Sequence, residues 1–449
     1  MRVLLISASN YQEPYPVYPI GLDYVAAAIS PPHEVHRADA VEHPDLDALA
    51  VRVREVAPDV VGISLRNVDN TAAIGCESFV DHYRDVVRKV REATSAPVIL
   101  GGSGFSLFGD RLVEMVGADY GVIGEGERMS DLLAALENNE AVHDLPGVVA
   151  AGAPASMPRP YLEPLHRTWP SDHGGARHYL ETGGVLGLQS KRGCPFSCIY
   201  CTYPYIEGHT TRFHGAENVA RDAVRLEQAG AGFLFFTDSV FNTHEKYAVE
   251  VAEAMRDAGV TVPWGGFFAP RVKTPDFFFR LAACGLTHVE FGTESLSAPM
   301  LEAYNKPYTV EEAVEAHEQA VAAGLFVCHY ILLCGPGETG ETVAETLETV
   351  ERLDRSAFVF YCGIRIFPGT EIRRIAIEEG SLDPCCDLVD PVFYTSPDMS
   401  PERAAGLVEA AAQGRANWIT PGRAARVSRI TKKLYSLGHK GLLWERLIR

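Results

Sequence analysis

Along the first 145 residues, short apolar runs of strand length alternate with longer stretches that carry a helical period. The strand-like runs are RVLLIS, HEVHRA, VVGIS, PVILGG and YGVIGE. Between them lie IGLDYVAAAIS, DLDALAVRVREV and a long predicted helix from about Thr71 to Thr94. Strands alternating with helices imply βαβ units, a parallel sheet and right-handed crossovers, and therefore a doubly wound, Rossmann-like α/β domain over 1–145. Ligands of such sheets bind beyond the carboxyl ends of the strands. Here those ends read Ser64-Leu65-Arg66-Asn67, Gly101-Gly102-Ser103-Gly104 and Gly124-Glu125-Gly126-Glu127. Glycines there let a bulky ligand approach the backbone, although tight turns before helices would use the same residues.

Residues 146–183 lose this periodicity and are rich in Pro, Gly and Ala, as a surface connector would be. A second βα series follows, with strand candidates VLGLQS, FLFFT, VPWGGFF, HVEFG, FVCHYILL and FVFYCGIRIF separated by helical segments that mostly end near a glycine. Six such units predict a partial (β/α)6 barrel of the TIM type over 184–375, with its chemistry at the carboxyl ends of the strands. A mostly helical region is expected over 376–449.

The chain has 449 residues, 47% of them hydrophobic, enough for two or three cores. MRVLLISAS lacks the h-region and cleavage site of a signal peptide, so a cytoplasmic location is expected. No apolar stretch has the length of a membrane span. A formal charge of -19 argues against nucleic acid and leaves a small molecule as the expected partner. Ten cysteines in such a protein suggest metal or redox chemistry rather than a disulfide scaffold. Cys76, Cys284, Cys328, Cys334 and Cys362 lie in apolar patterns and read as small core residues. Cys385 and Cys386 are adjacent, which makes them poor disulfide partners.

The remaining three stand in RGCPFSCIYC, directly after VLGLQS, as Cys194, Cys198 and Cys201. A structural zinc site would close with a fourth Cys or His, and His209 and His214 are the nearby donors. Three thiolates on one loop also suit a cubane [4Fe-4S] cluster with one iron left open for a ligand.

The CxxxCxxC loop after a first barrel strand, with the aromatic Tyr200 before its last cysteine, resembles the radical S-adenosylmethionine (SAM) superfamily. The resemblance extends to TDSVF, GTES, GPGET and FPGT after later strands. GVIGEGE and DLPGV resemble the cobalamin-binding domain fused to a large subgroup, so the likeness covers about residues 1–400. It implies that SAM chelates the open iron and that an electron from the cluster releases a 5'-deoxyadenosyl radical. It also implies an external electron donor such as flavodoxin or ferredoxin. By position, Asp238, Glu294 and Ser295 would hold the methionine ammonium and the ribose, with helix capping as the alternative for Asp238 and Ser295. Gly335 and Glu338 would shape the adenine side.

No DxHxxG motif is present, so no histidine is expected beneath cobalt. Arg66 is expected at the lower face, where a guanidinium excludes an axial ligand without coordinating the metal, or else pairs with an acid or with cobalamin itself. The resemblance implies a cobalamin-dependent C-methyltransferase acting on a natural-product or lipid-like molecule, or a cobalamin enzyme performing a cyclisation, rearrangement or carbon-carbon bond formation. The tail, with Arg423, Lys432, Lys433 and Lys440 among leucines, reads as a basic amphipathic helix. It either packs on its own domain or touches an acidic partner or membrane surface.

Overall fold

The structure, a computed structural model, describes residues 1–43, 45–152, 160–161, 165–169 and 174–448. Part of the expected connector, and Arg449, lie outside the described residues. The first sheet contains β1 (Arg2–Ser7), β2 (Glu34–Asp39), β3 (Val60–Ser64), β4 (Val98–Gly101), β5 (Tyr120–Val122) and β6 (Val148–Ala150), in the order β2-β1-β3-β4-β5-β6. All pairs are parallel except β5 with β6. Thus a sixth, antiparallel strand joins this sheet beyond residue 145. Because side chains alternate across a strand, Leu4 and Ile6 of β1 pack with Leu49, Val86 and Leu112 on one face. Val3 and Leu5 pack with Leu22, Met129 and Leu133 on the other. Helices therefore cover both faces.

The helix expected from Thr71 begins only at Val80 and ends at Ala93. Thr71 and Gly75 have φ of 55° and 77°, and Asp69 bridges Ser78, so this stretch folds back as a loop. Cys76 is exposed on it rather than packed in a core.

The second sheet is parallel throughout and runs β13-β12-β11-β10-β9-β8-β7. Its strands are β7 (Val185–Leu188), β8 (Phe233–Phe236), β9 (Trp264–Phe268), β10 (Leu286–Glu294), β11 (Phe326–Leu333), β12 (Ser356–Cys362) and β13 (Trp418–Ile419). Six are those expected from the sequence. The seventh, β13, comes from the supposedly helical tail and pairs with Phe358 and Val359. At Gly363, with φ of 96°, the chain leaves the sheet, and Ile364–Arg365 pairs antiparallel with Phe393–Tyr394. The outer face packs Val289, Phe291 and Val327 against helical Val249, Leu281 and Ala316. On the inner face, Val185, Phe233 and Phe235 meet Leu442.

The basic helix Ala424–Ser436 packs on its own chain, burying Ser428, Thr431 and Tyr435. Lys432 pairs with Glu13 at 2.9 Å. No helix among the described residues is long and apolar enough to cross a membrane. The two sheets share one core, in which Ile364, Ile366 and Ile372 join the apolar residues of the first domain. A buried ion pair crosses the same boundary, Arg365 Nε to Asp69 Oδ2 at 2.8 Å.

Candidate functional site

A cavity of about 410 Å³ lies where the carboxyl ends of the two sheets face each other. Ser7, Ser64, Arg66, Gly101, Gly102 and Gly124 line it from the first sheet, and Gln189, Tyr203, Glu207, Phe235, Thr237 and Phe267 from the second. Gly102 has φ 98° and ψ 168°, and a Cβ there would stand 2.6 Å from the Leu65 carbonyl oxygen. Only glycine accepts both conditions. Arg66 forms no ion pair among the described residues; burial lowers its pKa, a shift that Tyr15, Tyr203, Tyr83 and Tyr179 oppose. An unpaired, half-buried guanidinium is costly, so this part of the cavity suits a ligand rich in amide oxygens or phosphate.

Two of the residues expected at the ligand already have protein partners. Leu65 is fully buried and its side chain belongs to the apolar core, leaving only its backbone at the strand end. Glu125 lines the cavity, but its carboxylate accepts from Arg192 Nη1 at 2.8 Å and from Arg212 Nη1 at 2.9 and 2.8 Å. The backbone N–H of Tyr161 adds a third donor residue. Despite burial, these partners hold its pKa below the ordinary value. Arg192 also reaches Glu127 Oε1 at 2.6 Å. Glu125 therefore joins the GEGE loop of one domain to the cysteine loop of the other.

That loop leaves β7 through Gln189–Arg192. Gly193 has φ 85°, and a Cβ there would lie 2.3 Å from the Thr210 carbonyl oxygen. Glu207 accepts from Gly193 N at 2.9 Å, and Cys194 N donates to Gly208 O at 3.1 Å, which closes the loop on itself. Cys194 is buried, and Cys198 and Cys201 are half-buried. Burial pushes the Cys201 thiol up to about 12 and raises that of Cys198, whose rise Lys306 opposes. Thiolates in such surroundings need a cation close by, which a bound iron would supply. Of the alternative zinc donors, His214 faces Asp222 at 3.7 Å and the ring of Tyr24, and His209 is exposed to solvent.

Around the thiols, Tyr200 packs edge-on against Tyr304, with the Lys306 ammonium 5.3 Å from its ring centroid. Glu294 has φ 54° and pairs with Lys306 at 2.6 Å. Burial disfavours charge on Lys306, but Glu294 keeps its pKa well above the ordinary value. This pair sits beside Cys198 with the charges that the carboxylate and ammonium of an amino acid require. Lys306 was missed in the sequence because YNKPYT follows a short helix rather than a strand.

Asp238 is not free for a ligand: it is 1% exposed and accepts from Ser190 N at 2.8 Å, Ser190 Oγ at 2.5 Å and Lys191 Nζ at 2.9 Å. It fixes the start of the cysteine loop. Ser295 is fully buried and bonds Thr346 Oγ1 at 3.0 Å, on the helix behind the sheet, so it faces away from the cysteines. Glu338 accepts from the backbone N–H groups of Cys334 and Gly335, holding the turn after β11.

The family models match in chain order: "B12 binding domain" over residues 13–134 and "Radical SAM superfamily" over residues 188–350. The chain is 27% identical over 438 residues to tryptophan 2-C-methyltransferase of Streptomyces laurentii, covering 81% of this chain and 73% of that protein. It is 26% identical over 388 residues to an uncharacterized methyltransferase of Pyrococcus horikoshii, covering 81% and 79%. In fold it resembles TsrM from Kitasatospora setae, solved with cobalamin and a [4Fe-4S] cluster, with a TM-score of 0.88 at 22% identity over 99% of this chain and 97% of that one. OxsB, solved with aqua-cobalamin and SAM, matches with a TM-score of 0.75 at 13% identity, covering 98% and 71%. Cobalamin, SAM and a [4Fe-4S] cluster are the cofactors these domains use, in agreement with the sequence expectation. With a B12-binding domain and a radical SAM domain meeting at one cavity, the chain belongs to the cobalamin-dependent radical SAM enzymes.

Proposed function

We propose that the protein is a C-methyltransferase that passes a methyl group from SAM, by way of cobalamin, to a carbon of a small planar molecule. The observation that carries this reading is the cavity shared by the strand ends of both sheets, which lets one molecule touch both the B12-binding and the radical SAM domain. Two relatives add support: the Streptomyces laurentii protein is named for methylating C2 of tryptophan, and one TsrM structure holds tryptophan and a SAM analogue.

When bound, cobalamin supplies a methyl carrier, and the cluster supplies an electron that cleaves SAM to a 5'-deoxyadenosyl radical. Cys194, Cys198 and Cys201 would hold the cluster. Lys306 and Glu294 would fix the polar end of SAM, and Arg66, which lines the cavity at the end of β3, would contact cobalamin. Electrons would come from an external donor such as flavodoxin or ferredoxin.

The test is anaerobic incubation of reconstituted protein with methyl-labelled SAM, cobalamin and a reductant. Label in a small-molecule product together with S-adenosylhomocysteine supports methyl transfer. Release of 5'-deoxyadenosine without S-adenosylhomocysteine would instead indicate a non-methylating radical reaction. Cys194→Ala, Cys198→Ala and Cys201→Ala should each abolish reductive SAM cleavage, whereas Cys76→Ala should retain it.

A further inference from the structure

The inner face of the second sheet holds a carboxylate that the reaction described above does not use. Glu290 of β10 is 2% exposed, and no Lys, Arg or His among the described residues stands within ion-pair distance of it. Its Oε2 accepts from Tyr330 OH at 2.7 Å and its Oε1 from Trp444 Nε1 at 2.9 Å. Each oxygen keeps a further acceptor position. A buried carboxylate with neutral donors and no cation is expensive; burial raises its pKa to about 7, so the group is relieved either by a proton or by a cationic or N–H ligand that completes it.

The surroundings indicate what kind of ligand. Ring contacts run from Phe235 to Phe267 with centroids 5.1 Å apart, from Phe267 to Tyr330 at 6.0 Å and from Tyr330 to Tyr361 at 6.4 Å, forming an aromatic arc across the inner face. Phe235 and Phe267 also line the cavity, so the arc starts at the cavity wall. Behind it lies the tail. Gly441 N donates to Gly183 O at 2.8 Å and Lys440 bridges Gly183, which brings the tail alongside the start of β7. Leu442 and Trp444 then pack on Val185, Phe233, Phe235 and Phe267. Tyr435 OH donates to Gly441 O at 2.9 Å and ties this segment to the preceding helix.

We propose that residues 440–448 are the floor of the substrate chamber, and that Glu290, oriented by Tyr330 and Trp444, binds an ammonium or N–H group on a flat aromatic molecule stacked in the arc. The proposal rests on the small-molecule methyltransferase reading and adds a chemical class to it. Trp444 acts here as a positioning residue, because its indole N–H fixes one oxygen of Glu290 and turns the remaining acceptor positions toward the arc.

Tryptamine and indole-3-propionate serve as probes, since they share a ring system and differ in the charge they carry. Equilibrium binding to the full chain, loaded anaerobically with cluster and cobalamin, should favour tryptamine by at least about tenfold. Glu290→Gln should erase that preference, and Trp444→Phe, which keeps an aromatic ring but loses the N–H, should weaken tryptamine binding while leaving indole-3-propionate unaffected. Unchanged iron content and cobalamin loading establish that the variants are folded. No detectable tryptamine binding, equal binding of the two probes, or a preference that survives in Glu290→Gln overturns the proposal. Conversion of SAM to S-adenosylhomocysteine, followed in the same preparations, tests the methyl-transfer reading separately.

Discussion

Arg192 lies two residues before Cys194 yet faces the other domain, where Glu125 and Glu127 receive both ends of its guanidinium. Because all three side chains are at most 8% exposed, removing the cation strands the buried Glu127 and leaves Glu125 with Arg212 as its one cation. Arg192→Ala should cost about 3–5 kcal/mol, read as a lower urea midpoint of the cofactor-free protein, and Arg192→Lys should recover only part of it because the planar fork is lost. Glu338 offers a second test. Burial raises its pKa to about 7, and its Oε1 has no partner among the described residues. Since the folded state binds this proton more tightly than the unfolded chain, its contribution is full below about pH 4 and is lost as pH rises toward 7. Glu338→Gln mimics the protonated form and should remove roughly 3 kcal/mol from the fall in stability between pH 4 and 8, as followed by thermal midpoints across that range. Neither Arg192 nor Glu125 could be paired by reading the chain, because the partners are 67 residues apart and belong to different domains. For Asp238 the position at a strand end is visible in the chain, but the ammonium of Lys191 that pairs with it is not.

At the scale of elements, the strand ends were legible because βα alternation fixes which end of each strand carries the loops. The turn after β4 shows how strict that geometry is. Gly102→Ala demands a backbone conformation restricted to glycine and a 2.6 Å contact with the Leu65 carbonyl oxygen. It should cost at least about 3 kcal/mol and lower cobalamin affinity, as measured by equilibrium dialysis, whereas Gly117→Ala, which has φ of 77° but open space around it, should cost less and leave binding unchanged. The misread helix at Thr71–Phe79 has a tertiary origin. Asp69 takes the N–H of Thr71 at 2.8 Å and the guanidinium of Arg365, so the chain is turned by a partner nearly 300 residues away. Local periodicity carries no trace of that contact. The Glu290 and Trp444 pair was equally hidden, since a tryptophan in a basic tail reads as one more surface anchor until its indole is placed inside the sheet.

In the whole molecule, the final stretch of chain completes the second sheet on both sides. The strand β13 pairs with β12 at one edge, and Lys440 bridges Gly183, two residues before β7, at the other. An open parallel sheet with bare edges is a template for intermolecular pairing. Deleting residues 418–448 should therefore give protein that aggregates at concentrations where the full chain stays monodisperse, measurable by light scattering. A consequence concerns timing during synthesis. Residues 184–362 leave the ribosome well before Trp418 and Lys440 exist, so for several seconds at ordinary elongation rates the nascent sheet has two unsealed edges and its thiol loop already exposed. Chaperone capture and delivery of iron and sulfide would both have their opening in that interval, before the tail shuts the barrel from below.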